Sequence, residues 1–215
     1  MNTNLTDITI VLDRSGSMMA VASDTIGGFN HFLDEQKGVP GQATLTLNQF
    51  DNVFERIIEA GNIQTAPPLC RETFKPRGYT ALFDAIGRSI NDTGGRLAAM
   101  PEPERPGKVI VVIITDGMEN ASREFTRDAV DEMIRHQREK YAWEFVFLGA
   151  NQDAIANAAK MGIKPAAAMT FAANSRGTSR AFKATTQRIS DLRLGRIREM
   201  AFTQRDRDEQ KDAGA

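Results

Sequence analysis

Six consecutive apolar residues, from Val109 to Ile114, constrain the fold of this chain more than any other feature. The run does not alternate with polar residues, so both of its faces must be covered, which is typical of a central parallel strand. It is too short to cross a membrane as a helix, since that takes about 20 apolar residues. Parallel strands need crossover connections, and these are usually helices. The run therefore predicts an α/β fold.

The rest of the sequence supplies strands and helices in alternation. Residues 43–50 and 53–59 predict an antiparallel hairpin at a sheet edge, joined by a two-residue turn at Asp51-Asn52. Other strands are expected at 8–12, 143–148 and 168–171, and helices from about Met18 to Gly38, over 81–97, 126–139 and 153–161, and from about Ser175. We expect a doubly wound, mostly parallel central sheet with one antiparallel edge strand and helices on both faces.

Two adjacent glycines, Gly27 and Gly28, lie in the middle of the first predicted helix. Each costs about 1 kcal/mol of helix stability relative to alanine. Either the helix approaches a neighbour closely at this point, or the sequence tolerates a weak position. The sequence leaves both explanations open.

Length and composition favour a single domain. The chain has 215 residues, 41% of them hydrophobic and 26% charged, as in ordinary soluble globular proteins. A chain of this length buries enough of its surface on folding to be stable without disulfide bonds or a structural metal. We expect one domain over residues 1–202, followed by a charged C-terminal tail, 203–215, that forms a solvated helix end or a frayed terminus.

Charge and cysteine content exclude several functional classes. Lys and Arg total 27 against 28 for Asp and Glu, so no overall positive field favours a nucleic acid or a membrane as partner. Cys70 is the single cysteine, and no Cys/His cluster has zinc-ligand spacing. The first residues lack the basic start and apolar run of a signal peptide, so we expect a cytoplasmic protein. The oligomeric state stays open.

A cluster of oxygen-bearing side chains follows two of the predicted strands. Asp13, Ser15 and Ser17 come directly after the first strand, in a loop made permissive by Gly16. Open α/β sheets bind ligands at the carboxyl ends of their strands, and alternate loop positions can turn three oxygens toward one point. Hard cations such as Mg²⁺ take oxygen ligands of this kind. Thr80 and Asp116, expected at the same sheet edge, are the candidates for completing the site.

Three segments, in this order, resemble the metal-ion-dependent adhesion site (MIDAS) of von Willebrand factor type A (vWA) domains. They are Asp13-Arg14-Ser15-Gly16-Ser17-Met18, then Thr80 in Gly-Tyr-Thr-Ala-Leu-Phe-Asp-Ala-Ile, then Thr115-Asp116-Gly117. The similarity runs from about Thr6 to at least Gly149 and implies a Rossmann-like vWA fold. Residues 145–153 resemble the same region of bacterial stand-alone members, whose roles are mostly unassigned.

The resemblance implies a metal centre that binds a protein partner. Ser15, Ser17 and Thr80 would offer hydroxyl ligands, while Asp13 and Asp116 would act directly or through water. The ion would be Mg²⁺, with Mn²⁺ or Ca²⁺ as alternatives, and an Asp or Glu side chain of an unidentified partner would fill the remaining position. Two protein carboxylates leave the cation electrophilic enough to favour that incoming carboxylate.

Residues flanking the site have weaker assignments. Five of them could form a rim that contacts the partner, although ordinary packing is an alternative for each: Arg14, Met18, Tyr79, Met118 and Glu119. Asp84 is expected to serve a helix end or to face solvent rather than to bind the metal, and Asp51 to serve its turn. His31, His136 and Cys70 have no partners in the sequence that would favour catalysis.

Two other functions and one purely structural explanation compete with a metal-dependent binding module. Asp13 could be the nucleophile of a Mg²⁺-dependent phosphatase of the haloacid-dehalogenase type, but Ser15 stands where that chemistry usually needs a second Asp. A metal-independent assembly subunit could use its edge hairpin instead. Ser15, Ser17 and Thr80 could also simply cap helices. No nucleophile lies beside a general base in the sequence, so we expect a protein without catalysis.

Overall fold

The structure, a computed structural model, describes residues 1–150 and 153–214. Asn151 and Gln152, which belong to the segment that resembles bacterial vWA proteins, lie outside the described residues. Within the two described ranges, no helix is both long enough and apolar enough to cross a membrane.

One six-stranded sheet forms the centre of the molecule, in the order β3-β2-β1-β4-β5-β6. All neighbouring strands are parallel except β2 and β3, which form an antiparallel edge pair. The strands are β1 (Asn2–Asp13), β2 (Gln42–Phe50), β3 (Phe54–Asn62), β4 (Pro106–Thr115), β5 (Glu144–Gly149) and β6 (Ala168–Thr170). The predicted doubly wound, mostly parallel sheet with one antiparallel edge strand is confirmed.

Helices cover both faces of the sheet. They are α1 (Ala22–Gly38), α2 (Leu82–Ala99), α3 (Arg127–Tyr141), α4 (Ala154–Lys160), α5 (Ser175–Arg193) and α6 (Gln204–Lys211). α1 packs against α5, and α2 packs against α3. The first α-helix starts later than predicted, because a 3-10 helix over Gly16–Val21 precedes it.

The apolar run from Val109 to Ile114 lies in β4 and is buried throughout. β1 and β4 pair in parallel, with Leu12 opposite Ile114, while Asp13 lies opposite Phe50 of β2. The carboxyl ends of β1, β2 and β4 therefore meet at one sheet edge. Four of the five predicted ligands, Asp13, Ser15, Ser17 and Asp116, lie at the end of β1 or in the loops after β1 and β4, and the fifth, Thr80, lies in the connection from β3 to α2.

The β2–β3 hairpin differs from its prediction. Phe50 pairs with Phe54, so the connection has three residues, Asp51 to Val53, rather than two. The Val53 N–H donates to Asp51 Oδ1 over 2.6 Å, which closes the turn without a residue in the left-handed conformation. Asp51 is thus a turn residue, as predicted, although the predicted two-residue turn is wrong.

The C-terminal segment is a docked helix rather than a frayed terminus. Thr203 and Asp206 form a capping box at the start of α6. Gln210 is buried, donates to the Gly177 carbonyl over 3.0 Å and accepts from the Ala172 N–H. These contacts hold α6 against the start of α5. The predicted domain boundary at residue 202 stays a prediction.

The two glycines of α1 differ in their surroundings. A Cβ built on Gly28 would lie 2.3 Å from Cδ2 of Phe182 in α5, whereas one built on Gly27 meets nothing within 4 Å. Gly28 therefore permits the close approach of α1 and α5, and Gly27 is the tolerated weak point. Each of the two explanations left open by the sequence applies to one glycine.

We expect opposite effects from the same substitution at these neighbouring positions. Gly27→Ala should raise the free energy of unfolding by about 1 kcal/mol through helix propensity. Gly28→Ala should lower it by about 1–3 kcal/mol, because the added methyl group overlaps the Phe182 ring. Urea unfolding of the two variants measures both effects. Equal stability of the two variants would contradict the described α1–α5 contact.

Candidate metal centre

Five predicted ligands lie together at the carboxyl edge of the sheet. Asp13 ends β1, Ser15 and Ser17 follow it, and Asp116 comes directly after β4. Thr80 belongs to the long connection that leads from β3 to α2. Residues that are up to 103 positions apart in the sequence are thereby brought to one place, as the topology of a parallel sheet requires.

Three hydroxyl groups converge in front of Gly117. A Cβ built on this glycine would lie 3.0 Å from Thr80 Oγ1, 3.5 Å from Ser17 Oγ and 3.8 Å from Ser15 Oγ. Any residue other than glycine would fill the space that these oxygens share. The sequence motif contains this glycine, and the structure shows that a Cβ at this position would crowd the Thr80 hydroxyl group.

Hydrogen bonds link the hydroxyl groups to the second carboxylate. Ser17 Oγ donates to Asp116 Oδ1 over 2.5 Å, and the Ser15 and Ser17 hydroxyls lie 3.1 Å apart. A carboxylate and a pair of hydroxyl groups thus share one small polar cluster. Burial raises the pKa of Asp116, and the hydrogen bond from Ser17 opposes that rise.

Asp13 is fully buried at the base of this cluster. Its Oδ1 accepts from the Ser15 N–H and its Oδ2 from the Thr115 hydroxyl, both over 2.6 Å. Loss of solvent raises the pKa of the Asp13 carboxyl to about 6, although both hydrogen bonds favour the ionised form and the nearby Asp116 disfavours it. A cation beside these two carboxylates would relieve this cost.

We expect the metal-free protein to be less stable at pH 7 than at pH 5. The pKa of Asp13 in the folded state, about 6, lies above its ordinary value of 3.8. The folded state therefore holds this proton more tightly than the unfolded chain, and stability falls as pH rises through that window. Between pH 5 and pH 7 this loss is about 1 kcal/mol.

Urea unfolding in EDTA across this pH range measures the effect, and Asp13→Asn is the matched control because it cannot ionise. The loss of stability should be smaller in that variant than in the wild type. A wild-type protein that gains stability between pH 5 and pH 7 would contradict a raised pKa of Asp13 in the folded state.

The hydroxyl groups do not serve as helix caps. Ser15, at the start of the 3-10 helix, makes no side-chain capping hydrogen bond within the described residues, and the N-cap position of α2 is occupied by Ala81 rather than by Thr80. The hydroxyl groups of Ser17 and Thr80 face the shared space in front of Gly117 instead. Helix capping therefore does not account for these residues.

The donor set fits a hard divalent cation. It consists of oxygen atoms only, from two carboxylates and three hydroxyl groups, and such ligands suit Mg²⁺, Mn²⁺ or Ca²⁺. The part of the chain that the structure describes contains no group of three or more His, Cys, Asp or Glu side chains that could hold a metal. The hydroxyl groups are therefore essential to the fit.

The loop after β4 is fastened to the loop that carries Thr80. The Thr80 N–H donates to Asn120 Oδ1 over 2.9 Å, and the Asn120 N–H donates to the Thr80 carbonyl over 3.0 Å. Asp84 accepts from the backbone N–H groups of residues 123 to 125. Asp84 is therefore a helix-end residue that holds a loop, one of the two roles expected for it.

Arg14 and Met18, predicted at the rim, are buried and expose only 4% and 1% of their surface. Met18 belongs to the hydrophobic core. Arg14 Nε donates to Asp51 Oδ2 over 3.1 Å, and Arg14 Nη1 to Glu55 Oε2 over 2.7 Å. Neither side chain can contact a partner in this arrangement, so their assignment to the rim is wrong.

The other three predicted rim residues differ in their exposure and contacts. Glu119 is half-buried, and its carboxylate accepts from the N–H groups of Phe83, Ala121 and Ser122, so it holds the loop together. Tyr79 and Met118 are each 69% exposed beside the cluster. They are accessible to a partner, and their contact with one stays a prediction.

An ion-pair network beneath the cluster was not predicted from the sequence. Asp51 is 1% exposed and accepts from both Arg14 and Arg77, and Glu55 pairs with the same two arginines. The Arg77 N–H also donates to the Arg14 carbonyl over 2.8 Å. The network joins the Asp13–Ser17 loop to the hairpin and to the approach to Thr80. The position of Asp51 at the end of a strand was the signal available in the sequence.

Comparisons with known proteins identify the fold. No protein-family model matches the sequence, and no curated protein matches it. Among solved structures, the chain is similar to proximal thread matrix protein 1 from the mussel byssus with a zinc-occupied MIDAS motif, with a TM-score of 0.60 and 15% identity over 88% of this chain and 47% of that one.

Two bacterial structures are also similar. The pilus adhesin SpaC from Lactobacillus rhamnosus GG has a TM-score of 0.65 and 13% identity, over 89% of this chain and 30% of that one. The von Willebrand factor type A protein from Catenulispora acidiphila has a TM-score of 0.55 and 11% identity, over 87% of this chain and 42% of that one. The chain thus has the vWA fold, as the resemblance predicts. It spans less than half the length of each of these three proteins.

Proposed function

We propose that this protein is a non-catalytic binding module in which a divalent cation connects it to a protein partner. The protein would act in the cytoplasm, and its cation would be Mg²⁺. The ligands of this cation would be Asp13, Ser15, Ser17, Thr80 and Asp116. An Asp or Glu side chain of the partner would complete its coordination. The observation that carries this proposal is the convergence of three hydroxyl oxygens in front of Gly117, beside two carboxylates.

The charge balance of the cluster supports binding of an acidic group. Two carboxylates cancel the formal charge of a divalent cation. The hydroxyl ligands, however, donate less electron density to the cation than further carboxylates would. The bound ion would therefore attract a further carboxylate. A zinc-occupied MIDAS motif in a protein of the same fold supports a divalent cation at this position.

The phosphatase alternative has less support. A nucleophilic carboxylate must reach its substrate, whereas Asp13 is fully buried and both of its oxygens accept hydrogen bonds from the protein. Proteins of the same fold whose names state a role include a pilus adhesin and a thread matrix protein, which favours binding over catalysis.

We expect Mg²⁺ to stabilise the protein and EDTA to reverse this effect. At a free ion concentration about 100 times the dissociation constant, binding to the folded state alone adds about 2.7 kcal/mol to the free energy of unfolding. Thermal unfolding in Mg²⁺, Mn²⁺, Ca²⁺ and EDTA measures the gain and ranks the ions. A melting temperature that none of the three ions changes would remove the basis of the proposal.

Partner binding needs a second experiment. Immobilised protein would be exposed to its native cell extract in Mg²⁺ and again in EDTA. A partner that binds in Mg²⁺ and is released by EDTA supports a bridging cation. A partner retained in EDTA would favour the metal-independent assembly subunit, for which the exposed edge strand β3 is available.

A further inference from the structure

A cavity of about 190 Å³ lies beside the candidate metal centre and is not part of it. Its walls include the side chains of Leu82 and Phe83 from α2, Phe147 from β5 and Met161 after α4. These four side chains are apolar. Apolar cavities of about 150 Å³ in other proteins stay dry and bind molecules the size of benzene. This cavity is therefore large enough for one aliphatic side chain or one aromatic ring.

The cavity and the metal centre share a wall. Gly117 lines the cavity, and the space where its Cβ would lie is bounded by the hydroxyl groups of Ser15, Ser17 and Thr80. Gly117 therefore borders both the cavity and the candidate metal centre. Met118, which follows it, also lines the cavity and is 69% exposed, so the cavity lies at the accessible surface.

The polar groups around the cavity favour an acidic ligand. Arg127 lines it with a half-exposed side chain whose contact with Asp128, at 3.4 Å, is weak. Glu119 also lines it, but its carboxylate already accepts hydrogen bonds from the N–H groups of residues 83, 121 and 122. The cavity next to the proposed cation is thus also lined by the positive charge of Arg127.

We propose that this cavity holds an aliphatic side chain of the same partner whose carboxylate binds the cation. This inference rests on the proposed function and makes its partner more specific. The recognised surface would carry an Asp or Glu with a leucine-sized side chain next to it. The cation would supply the attraction for the acid, and the cavity would select the neighbouring apolar group.

Two small carboxylates test the inference on the Mg²⁺-loaded protein. Acetate has the carboxylate alone, whereas 3-methylbutanoate adds a branched apolar tail of three carbons. Burial of this tail should tighten binding at least about ten-fold. Titration followed by NMR chemical shifts gives both affinities, and the same titrations in EDTA show whether the carboxylate needs the ion.

Variants of Asn157 provide the matched control. Asn157 is half-buried and lines the cavity from α4. Asn157→Trp should fill the cavity and abolish the advantage of 3-methylbutanoate while leaving the affinities for Mg²⁺ and acetate unchanged. Asn157→Ala should preserve that advantage. Melting temperatures in Mg²⁺ verify that both variants are folded.

The outcomes separate this inference from the proposed function. Equal affinities of the wild-type protein for the two carboxylates would overturn the inference alone, and so would an advantage that survives in Asn157→Trp. An advantage that persists in EDTA would also overturn it, because the tail would then bind without the cation. If Mg²⁺ binds and neither carboxylate does, the carboxylate bridge and this inference fail together.

Discussion

Asp116→Ala should lower the affinity for Mg²⁺ by at least about 100-fold. Changes to groups that merely support a metal ligand already cost 10–100-fold, so loss of a ligand should cost more. The double variant Ser15→Ala/Ser17→Ala should lose affinity to a similar extent, because it removes two of the three hydroxyl groups in front of Gly117. Isothermal titration with Mg²⁺ and Mn²⁺ measures both losses.

Stability distinguishes a loss of the site from a loss of the fold. Burial raises the pKa of Asp116, so its negative charge is unfavourable without a cation. In EDTA, Asp116→Ala should therefore unfold within about 1 kcal/mol of the wild type, since the lost hydrogen bond from Ser17 and the relieved charge offset each other. Asp34→Ala removes an exposed carboxylate of α1 and should leave Mg²⁺ affinity unchanged. Equal Mg²⁺ binding by the wild type and both site variants would refute the assigned ligand set.

Much of the fold was predictable because it depends on local patterns. The run from Val109 to Ile114 has the composition of a strand that is buried on both faces. Such a strand belongs at the centre of a parallel sheet, and β4 lies there between β1 and β5. The five oxygen-bearing ligand candidates were predictable for a related reason. Asp13, Ser15, Ser17 and Asp116 follow strands that end at one edge, so the order of these motifs along the chain was enough to bring them together, whereas Thr80 reaches this edge through the long connection after β3.

The remaining features depend on contacts between distant residues, which no local pattern encodes. Arg14 stands between two ligand candidates and looks accessible in the sequence, but its partners Asp51 and Glu55 lie 37 and 41 residues away. Met18 follows a polar loop and still packs in the core. Likewise, the docking of α6 depends on Gln210, a polar residue that the sequence marks as surface. Burial of polar groups is decided by such pairings.

The second large effect is expected at Arg14. Its guanidinium is buried against Asp51, which is 1% exposed, and it also reaches Glu55. Breaking a buried ion pair from one side costs about 3–5 kcal/mol when the remaining charge has no other partner in the interior. Asp51 keeps its ion pair with Arg77, so Arg14→Met should lower the free energy of unfolding by about 3 kcal/mol, the lower end of this range. It should also weaken Mg²⁺ binding, since Arg14 lies between two of the ligand candidates.

Arg77→Met is the matched control for this prediction. Arg77 contacts the same two carboxylates, at 2.9 Å each, but its side chain is 55% exposed. Water screens such a pair, and its loss should cost at most about 1 kcal/mol. Urea unfolding in EDTA compares the two variants without interference from the metal.

The titration of Glu55 gives an independent measurement of the same network. The hydrogen bond from Arg14 holds the pKa of Glu55 at about 2, well below its ordinary 4.5. In Arg14→Met this pKa should rise toward its ordinary value, and Arg14→Lys should recover only part of the shift, because an ammonium group cannot reach two carboxylates as a guanidinium does. If Arg14→Met cost no more stability than Arg77→Met and left the Glu55 titration unchanged, the buried ion pair of Arg14 and Asp51 would not hold the Asp13–Ser17 loop in place.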